Sequence, residues 1–187
     1  MDTLSDNALM LKVKEGDIDK MGLLYERYHR QLYGFLFHMT RHKELSEDMI
    51  HNVFFRMLKY RNGFTGSGEF KTRMYHIARN ALHDHYRKDK RTPSHNSLQL
   101  SDFEEKIAGE LPADEQMEYQ QELRSLEIAM KNLSDENREI IVLCRFQELK
   151  YHEIARIMNK TEGAIKSRVH RALNQLKSNY LKIENYE

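Results

Sequence analysis

The sequence predicts an all-α protein of two helical domains joined by a flexible, acidic linker. Three observations carry that expectation. Charged residues make up 32% of the 187, and apolar residues recur at helical spacing with few β-branched runs, which favours helices over strands. Both prolines, Pro93 and Pro112, fall in one polar stretch, TPSHNSLQLSDFEEKIAGELPADE, too poor in apolar residues to build a core. The charge is also blocked: residues 1–91 carry 17 basic and 12 acidic side chains, residues 92–122 carry Lys106 against eight acids, and residues 123–187 carry 12 basic and nine acidic. The net charge of +1 therefore hides two basic parts around an acidic one, an asymmetry that points to nucleic acid. The expected boundaries are a domain at 1–91, a linker at 92–113 and a domain at 114–187, each domain long enough for a small core.

Ser5 precedes the first helix as an N-cap, its hydroxyl placed to accept from an orphan backbone N–H, and Gly16 ends that helix. Leu23, Leu24, Tyr28, Leu32, Phe35, Leu36 and Met39 then recur as the inward face of a second. Ser46 reads as the cap of a third, with Glu47 and Asp48 in its first turn and an end near Tyr60. In it Ile50, Val53, Phe54, Met57 and Leu58 face inward. The loop RNGFTGSGE holds three of the eight glycines. It leads into a helix from about Phe70 to Arg87, with Phe70, Met74, Ile77 and Ala81 as its core stripe. A short helix is expected within the linker near Asp102–Ala108. Beyond it come a helix over about Asp114–Lys131, a Ser134-capped segment ENREIIVLCRFQ and a short helix YHEIARIM. A tight turn at Asn159–Lys160 follows, where Asn tolerates the left-handed conformation. The last helix runs from near Thr161 toward Tyr180 on a stripe of Ile165, Val169, Ala172, Leu173 and Leu176.

Several function classes are excluded or left without support. A lone Cys144 excludes a disulfide framework and a CxxC zinc site, and its place in the run IIVLC reads as a buried, inert thiol. No apolar run approaches the ~18–20 residues needed to span a bilayer, and the N-terminus has no signal-peptide pattern, so a cytoplasmic protein without membrane insertion is expected. His38 and His42 have metal-pair spacing but no evident third ligand, while His83 and His85, two residues apart, point away from each other. The glycine loop lacks the Lys-Ser/Thr of a P-loop. The expectation is a protein with no catalytic residues, no metal and no cofactor.

Two segments carry chemistry. On the helix after the glycine loop, the face opposite the core stripe gathers Thr72, Tyr75, His76, Arg79, Asn80, His83, Tyr86 and Arg87, and residues 70–91 hold seven basic side chains against two acidic. Cations track phosphates and rings stack on exposed bases, which suits a single strand. The same composition also serves an ordinary solvated face. The segment YHEIARIMNKTEGAIKSRVHRALNQLK is more specific: a short helix, a tight turn and a longer helix at helix-turn-helix spacing. Residues 154–182 hold seven basic side chains, with Glu162 the one acid. A major-groove reader needs donors near the start of its second helix and flanking cations for phosphates.

In this order and spacing the chain resembles the extracytoplasmic-function (group IV) bacterial sigma factors, over about Ser5 to Lys177. LSEDMIHNVFFRMLKY resembles region 2.2, FKTRMYHIARNALHDHYRK resembles regions 2.3 and 2.4, and NLSDENREIIVLCRFQELKYHEIARIMNKTEGAIKSRVHRALNQLK resembles region 4. The resemblance implies binding to core RNA polymerase, with Asp48, His51, Asn52, Phe55 and Arg56 docking on its β′ clamp helices and the β flap as a further contact. It implies melting of a promoter −10 element, with a flipped base held beside the loop Asn62 to Glu69 and contacts from Phe64, Lys71, Arg73, Tyr75, Arg79, Asn80, His83 and Arg87. It implies reading of a duplex −35 element by Thr161, Glu162, Gly163, Lys166, Ser167, Arg168, His170 and Arg171. Of these, Arg168 lies nearest the buried stripe, which suits a phosphate contact. An anti-sigma factor is a further implied partner. The chain departs from the family pattern at Arg73–Met74, where Trp and an apolar residue are usual. It departs also at His51 and Asn52, at Asn159 in place of Gly, and at Ala164 in place of Thr. A helix-turn-helix repressor or activator and a helical RNA-binding or structural protein are the alternatives, and dependence on core polymerase separates them from a sigma factor.

Overall fold

Local capping fixes most helix ends where the sequence places them. The computed structural model describes residues 4–89 and 113–184; the linker and its expected short helix lie outside them. Helix α1 (Asp6–Glu15) starts at Ser5, whose hydroxyl accepts from the Ala8 N–H, and stops at Gly16 with φ of 111°. Helix α2 (Lys20–Thr40) ends on Arg41 in the left-handed region and supplies the central core residues Leu24, Leu32, Phe35 and Leu36. Helix α3 (Lys43–Lys59) is followed by a single 3-10 turn (Arg61–Gly63) and then by α4 (Phe70–Asp89). The second part holds α5 (Ala113–Lys131), α6 (Asp135–Ile141), α7 (Tyr151–Met158) and α8 (Glu162–Glu184). Among the described residues there is no strand.

Four readings of the sequence are corrected. Helix α3 begins at Lys43, not after Ser46, because the His42 ring Nδ1 accepts from the Leu45 N–H at 3.2 Å and serves as its cap. An imidazole nitrogen is an acceptor that pattern-reading of Ser, Thr, Asp and Asn passes over. Ser46 is instead buried inside the helix, its hydroxyl bonded to the His42 carbonyl at 2.7 Å and to the Thr40 hydroxyl at 2.9 Å. Leu23 is 43% exposed, since only its neighbour Leu24 turns fully inward. Ile77 and Leu58 are half-buried partners of the core, and Cys144 is half-buried rather than enclosed. Burial still pushes the Cys144 thiol above its ordinary value, away from the reactive thiolate.

Helix α6 does not run on to Gln147 as a regular helix. It passes into a π-helical turn, Val142–Phe146, that closes with the Gln147 N–H on the Val142 carbonyl at 3.0 Å. The wider turn swings Phe146 and Gln147 onto α2 of the first domain. The Phe146 ring lies 4.0 Å from the His38 ring, centroid to centroid. The Gln147 side chain reaches the α2 backbone over Gly34, where an added Cβ would sit 3.3 Å from the end of its amide. In the orientation that satisfies its neighbours, the Gln147 amide donates to the Gln31 carbonyl at 2.9 Å and to the Tyr75 hydroxyl at 3.0 Å. Buried residues of the two domains thereby join in one apolar core, from Leu9 to Ala172.

Candidate nucleic-acid interface

The helix-turn-helix forms as its spacing predicts. Helix α7 starts with Glu153 accepting from the Lys150 N–H at 2.7 Å, and its end turns on Asn159 at φ 52°, ψ 51°. The Thr161 hydroxyl then accepts from the Ala164 N–H at 3.2 Å and starts α8. Ile165, Val169 and Ala172 bury one stripe of α8, while Leu173 and Leu176 are half-buried beside it. Thr161, Glu162, Gly163, Lys166, Ser167, His170 and Arg171 all lie exposed on the outward side. Arg168 is the exception among the predicted −35 residues. It is held against α6, by Glu136 at 2.7 Å and by the Asn137 amide oxygen at 3.2 Å.

The predicted −10 residues are placed differently. Lys71, Arg73, Arg79, Asn80, His83 and Arg87 share α4; acids of the second domain engage Lys71 and Arg79, Arg73 turns to its own domain, and Asn80, His83 and Arg87 are exposed. Arg79 Nε donates to the buried Glu139 at 2.7 Å. Burial raises the Glu139 carboxyl above the usual carboxylate range, and the Arg79 charge opposes that rise. Lys71 faces Glu153 at 3.7 Å. The His76 ring meets the Arg156 carbonyl at 2.9 Å, and the Arg156 guanidinium reaches Glu69 of the glycine loop at 3.0 Å. Along the side, Arg41 pairs with Glu127 of α5 at 2.7 Å.

Two predicted strand-stacking rings are not on the surface. Tyr75 is fully buried, edge-on to Phe35, with its hydroxyl on Gln147. Burial pushes its hydroxyl pKa upward, so it is a neutral phenol. Phe64 is buried beneath the Arg73 guanidinium, which lies 5.6 Å from the ring centroid and donates to the Tyr60 carbonyl at 2.7 Å. The reason is geometric: Tyr75 stands at i, i+3 and i+7 with the buried Ala78 and Leu82, so it lies on an inward stripe of α4. Tyr86 likewise spends its hydroxyl on the Met39 carbonyl at 2.8 Å, and burial raises it to about 12.

The glycine loop and α4 border an open cleft of about 710 Å³, lined by Asn7, Ser67, Gly68, Glu69, Thr72, Arg73, His76, Ile77 and Arg156. A second cleft of about 720 Å³ lies between the domains, with Arg79, His83 and Arg87 on one side and Asp135, Glu136 and Glu139 on the other. On α3, Ile50, Val53, Phe54 and Met57 are buried, and Asp48, His51, Asn52 and Phe55 stand exposed with Arg56 half-exposed beside them. Phe55 is 62% exposed, an apolar ring with no core to fill. Sequence reading missed Asn7, Glu139, Phe146 and Gln147, whose partners are remote in the chain. Among the described residues no group of His, Cys, Asp and Glu is arranged to hold a metal, and no helix is long and apolar enough to cross a membrane.

A Sigma-70 region 2 family model matches residues 24–92, and a Sigma-70 region 4 model matches residues 123–176. The ECF RNA polymerase sigma factor SigM of Bacillus subtilis is 33% identical over 158 residues, 84% of this chain and 93% of SigM. The chain belongs to the extracytoplasmic-function RNA polymerase sigma factors. SigX of the same organism is 30% identical over 157 residues, 83% of this chain and 80% of SigX. BldN of Streptomyces coelicolor is 31% identical over 180 residues, and the chain spans 66% of its length. Two solved structures share the fold. CnrH, in complex with the cytosolic domain of CnrY, has a TM-score of 0.69 at 17% identity, over 92% of this chain and 95% of CnrH. RpoE of Bartonella quintana, in complex with the anti-sigma factor NepR, has a TM-score of 0.65 at 21% identity, over 87% and 96%. As a sigma factor the chain is a promoter-specific transcription initiation factor that acts with core RNA polymerase and promoter DNA.

Proposed function

We propose that residues 1–91 dock on core polymerase and hold the melted −10 strand, that 92–113 tether the domains, and that 114–187 read the −35 duplex. The observation that carries this division is the contrast between the two basic faces. The outward side of α8 is free for a groove, with Lys166, Ser167, His170 and Arg171 in register over nearly two turns. The α4 face is engaged by acids of the second domain, Glu139 on Arg79 and Glu153 on Lys71. Carboxylates stand there where strand phosphates would stand, so −10 binding requires the domains to part.

Core polymerase supplies that separation by binding the open form more tightly, with the α3 residues Asp48, His51, Asn52, Phe55 and Arg56 as its contact. An anti-sigma factor that bridges the interdomain cleft would hold the closed form. This reading draws on the two solved relatives, CnrH with the cytosolic domain of CnrY and RpoE with the anti-sigma factor NepR, and on the cleft lined by both domains. The Arg73 guanidinium, fixed over Phe64, takes the position of the family's usual ring beside the loop. Run-off transcription from a promoter library tests the whole assignment. The chain with core enzyme is expected to select −35 and −10 motifs at a fixed spacing. Selection of duplex sites without core would instead identify a repressor-like reader.

A further inference from the structure

Helix α1 lies outside the residues matched by the region 2 family model, which begin at 24, yet it touches the glycine loop at three successive points of one face. Asn7, Leu11 and Lys14 stand at i, i+4 and i+7. The Asn7 side-chain nitrogen donates to the Gly68 carbonyl at 3.0 Å and makes a longer approach to the Gly66 carbonyl at 3.5 Å. Its oxygen accepts from the Phe70 N–H at 2.8 Å, one of the orphan donors at the start of α4. Two carbonyls on one side and an N–H on the other fix the orientation of the amide. Leu11 fills the space beside Gly66, whose φ of 75° no ordinary side chain adopts at low cost; a Cβ there would meet Leu11 at 3.5 Å. Lys14 Nζ donates to the Phe64 carbonyl at 2.7 Å.

The loop so held is a wall of the 710 Å³ cleft, which also contains Asn7 itself, Thr72, Arg73 and His76. That volume suits a small organic ring with its sugar. Once the second domain withdraws, Arg156 leaves its contact with Glu69 and the cleft opens fully. A glycine-rich loop has little stiffness of its own, so the shape presented to a base is set by what holds the loop. We propose that α1, through Asn7, is a positioning element for the −10 base pocket, and that it governs which base the pocket accepts at one position. The proposal rests on the −10 reading of this cleft given above.

Asn7→Asp is the informative variant. A carboxylate still accepts from the Phe70 N–H, so the cap of α4 survives, but it cannot donate to the loop carbonyls. Full-length chain and core polymerase would be assayed for run-off from a library randomised at −10 and at −35, with thermal midpoint and core affinity measured in parallel. The expected result is an about three- to tenfold loss of base discrimination at a single −10 position, the range of one neutral hydrogen bond. The −35 preference and core affinity stay as in the parent, the thermal midpoint falls by no more than the loss of one hydrogen bond, and Lys14→Met weakens discrimination at that same position. An unchanged −10 profile overturns the proposal, and so does a uniform fall at every position, which is what a merely structural role would give. A parent chain with no −10 preference at all would overturn the underlying reading as well, and the parent arm alone reveals that case.

Discussion

The two basic faces look alike in sequence and differ in the folded chain. Helices α4 and α8 each carry an apolar stripe opposite a row of cations, yet α8 keeps its outward row in solvent and α4 gives Lys71 and Arg79 to acids of the second domain. The difference lies in what each helix meets beyond its own domain. The α8 face is bordered by the short α7 helix, and among the described residues Lys166, His170 and Arg171 are exposed. The α4 face receives the π-turn, Glu139, Glu153 and Arg156. A DNA surface that is always available can search duplex by itself; one that is covered works only after a partner has opened it.

The largest expected effect comes from breaking the cover. Glu139→Lys places like charges at 2.7 Å geometry inside a buried site. Breaking a buried pair costs about 3–5 kcal/mol, enough to move a closed population to an open one. Spin labels at Asn52 and Lys177, in a Cys144→Ser background, should report a longer and broader interdomain distance. An unchanged distance would mean that the ion pair does not hold the domains. The open face offers the matching test. Lys166→Ala and Arg171→Ala should each cost about 1–3 kcal/mol in −35 discrimination if they contact base edges. Neither should alter that interdomain distance, and a change in it would erase the contrast between the faces.

Gly34→Ala should act more gently. The added methyl meets the end of the Gln147 side-chain amide at 3.3 Å, and displacing that amide loosens its bonds to Gln31 and Tyr75. A loss of about 1 kcal/mol in closure is expected, visible as faster amide exchange in α2 near Phe35. The smallest effect is on pH. Burial, with Arg41 nearby, lowers His38 from 6.5 to about 4 beneath Phe146. The closed chain therefore favours neutral His38, so its contribution is whole above pH 6.5 and fades as pH falls toward 4. Label distances followed over that window should lengthen in the parent and less so in His38→Phe.

Much of the fold was legible because its signals are local. The Ser5 and Ser134 caps, the Gly16 stop and the left-handed Asn159 each act within four residues of their own position. The outward face of α8 was legible for the same reason: one buried stripe fixes which side points out. The start of α3 was misplaced because a histidine did the capping. Phe64 and Tyr75 were misplaced because their burial depends on Arg73 and on Gln147, a partner 72 residues away from Tyr75. Asn7 gave no signal, since its loop partners lie 59 to 63 residues on. Charge counting finds a cationic face but not the carboxylate that already occupies it, as Arg79 and Glu139, 60 residues apart, make plain.

Under the proposed function the second domain masks the −10 face in the free chain. A fluorescent single-stranded oligonucleotide carrying the −10 non-template sequence, titrated into the free full-length chain and into Glu139→Gln, tests it most directly. A −35 duplex serves as the internal control. The account predicts weak strand binding by the parent, a gain of tenfold or more in the variant, and equal duplex binding by both. Equal strand binding by the two proteins, or a parallel rise in duplex binding, would contradict it.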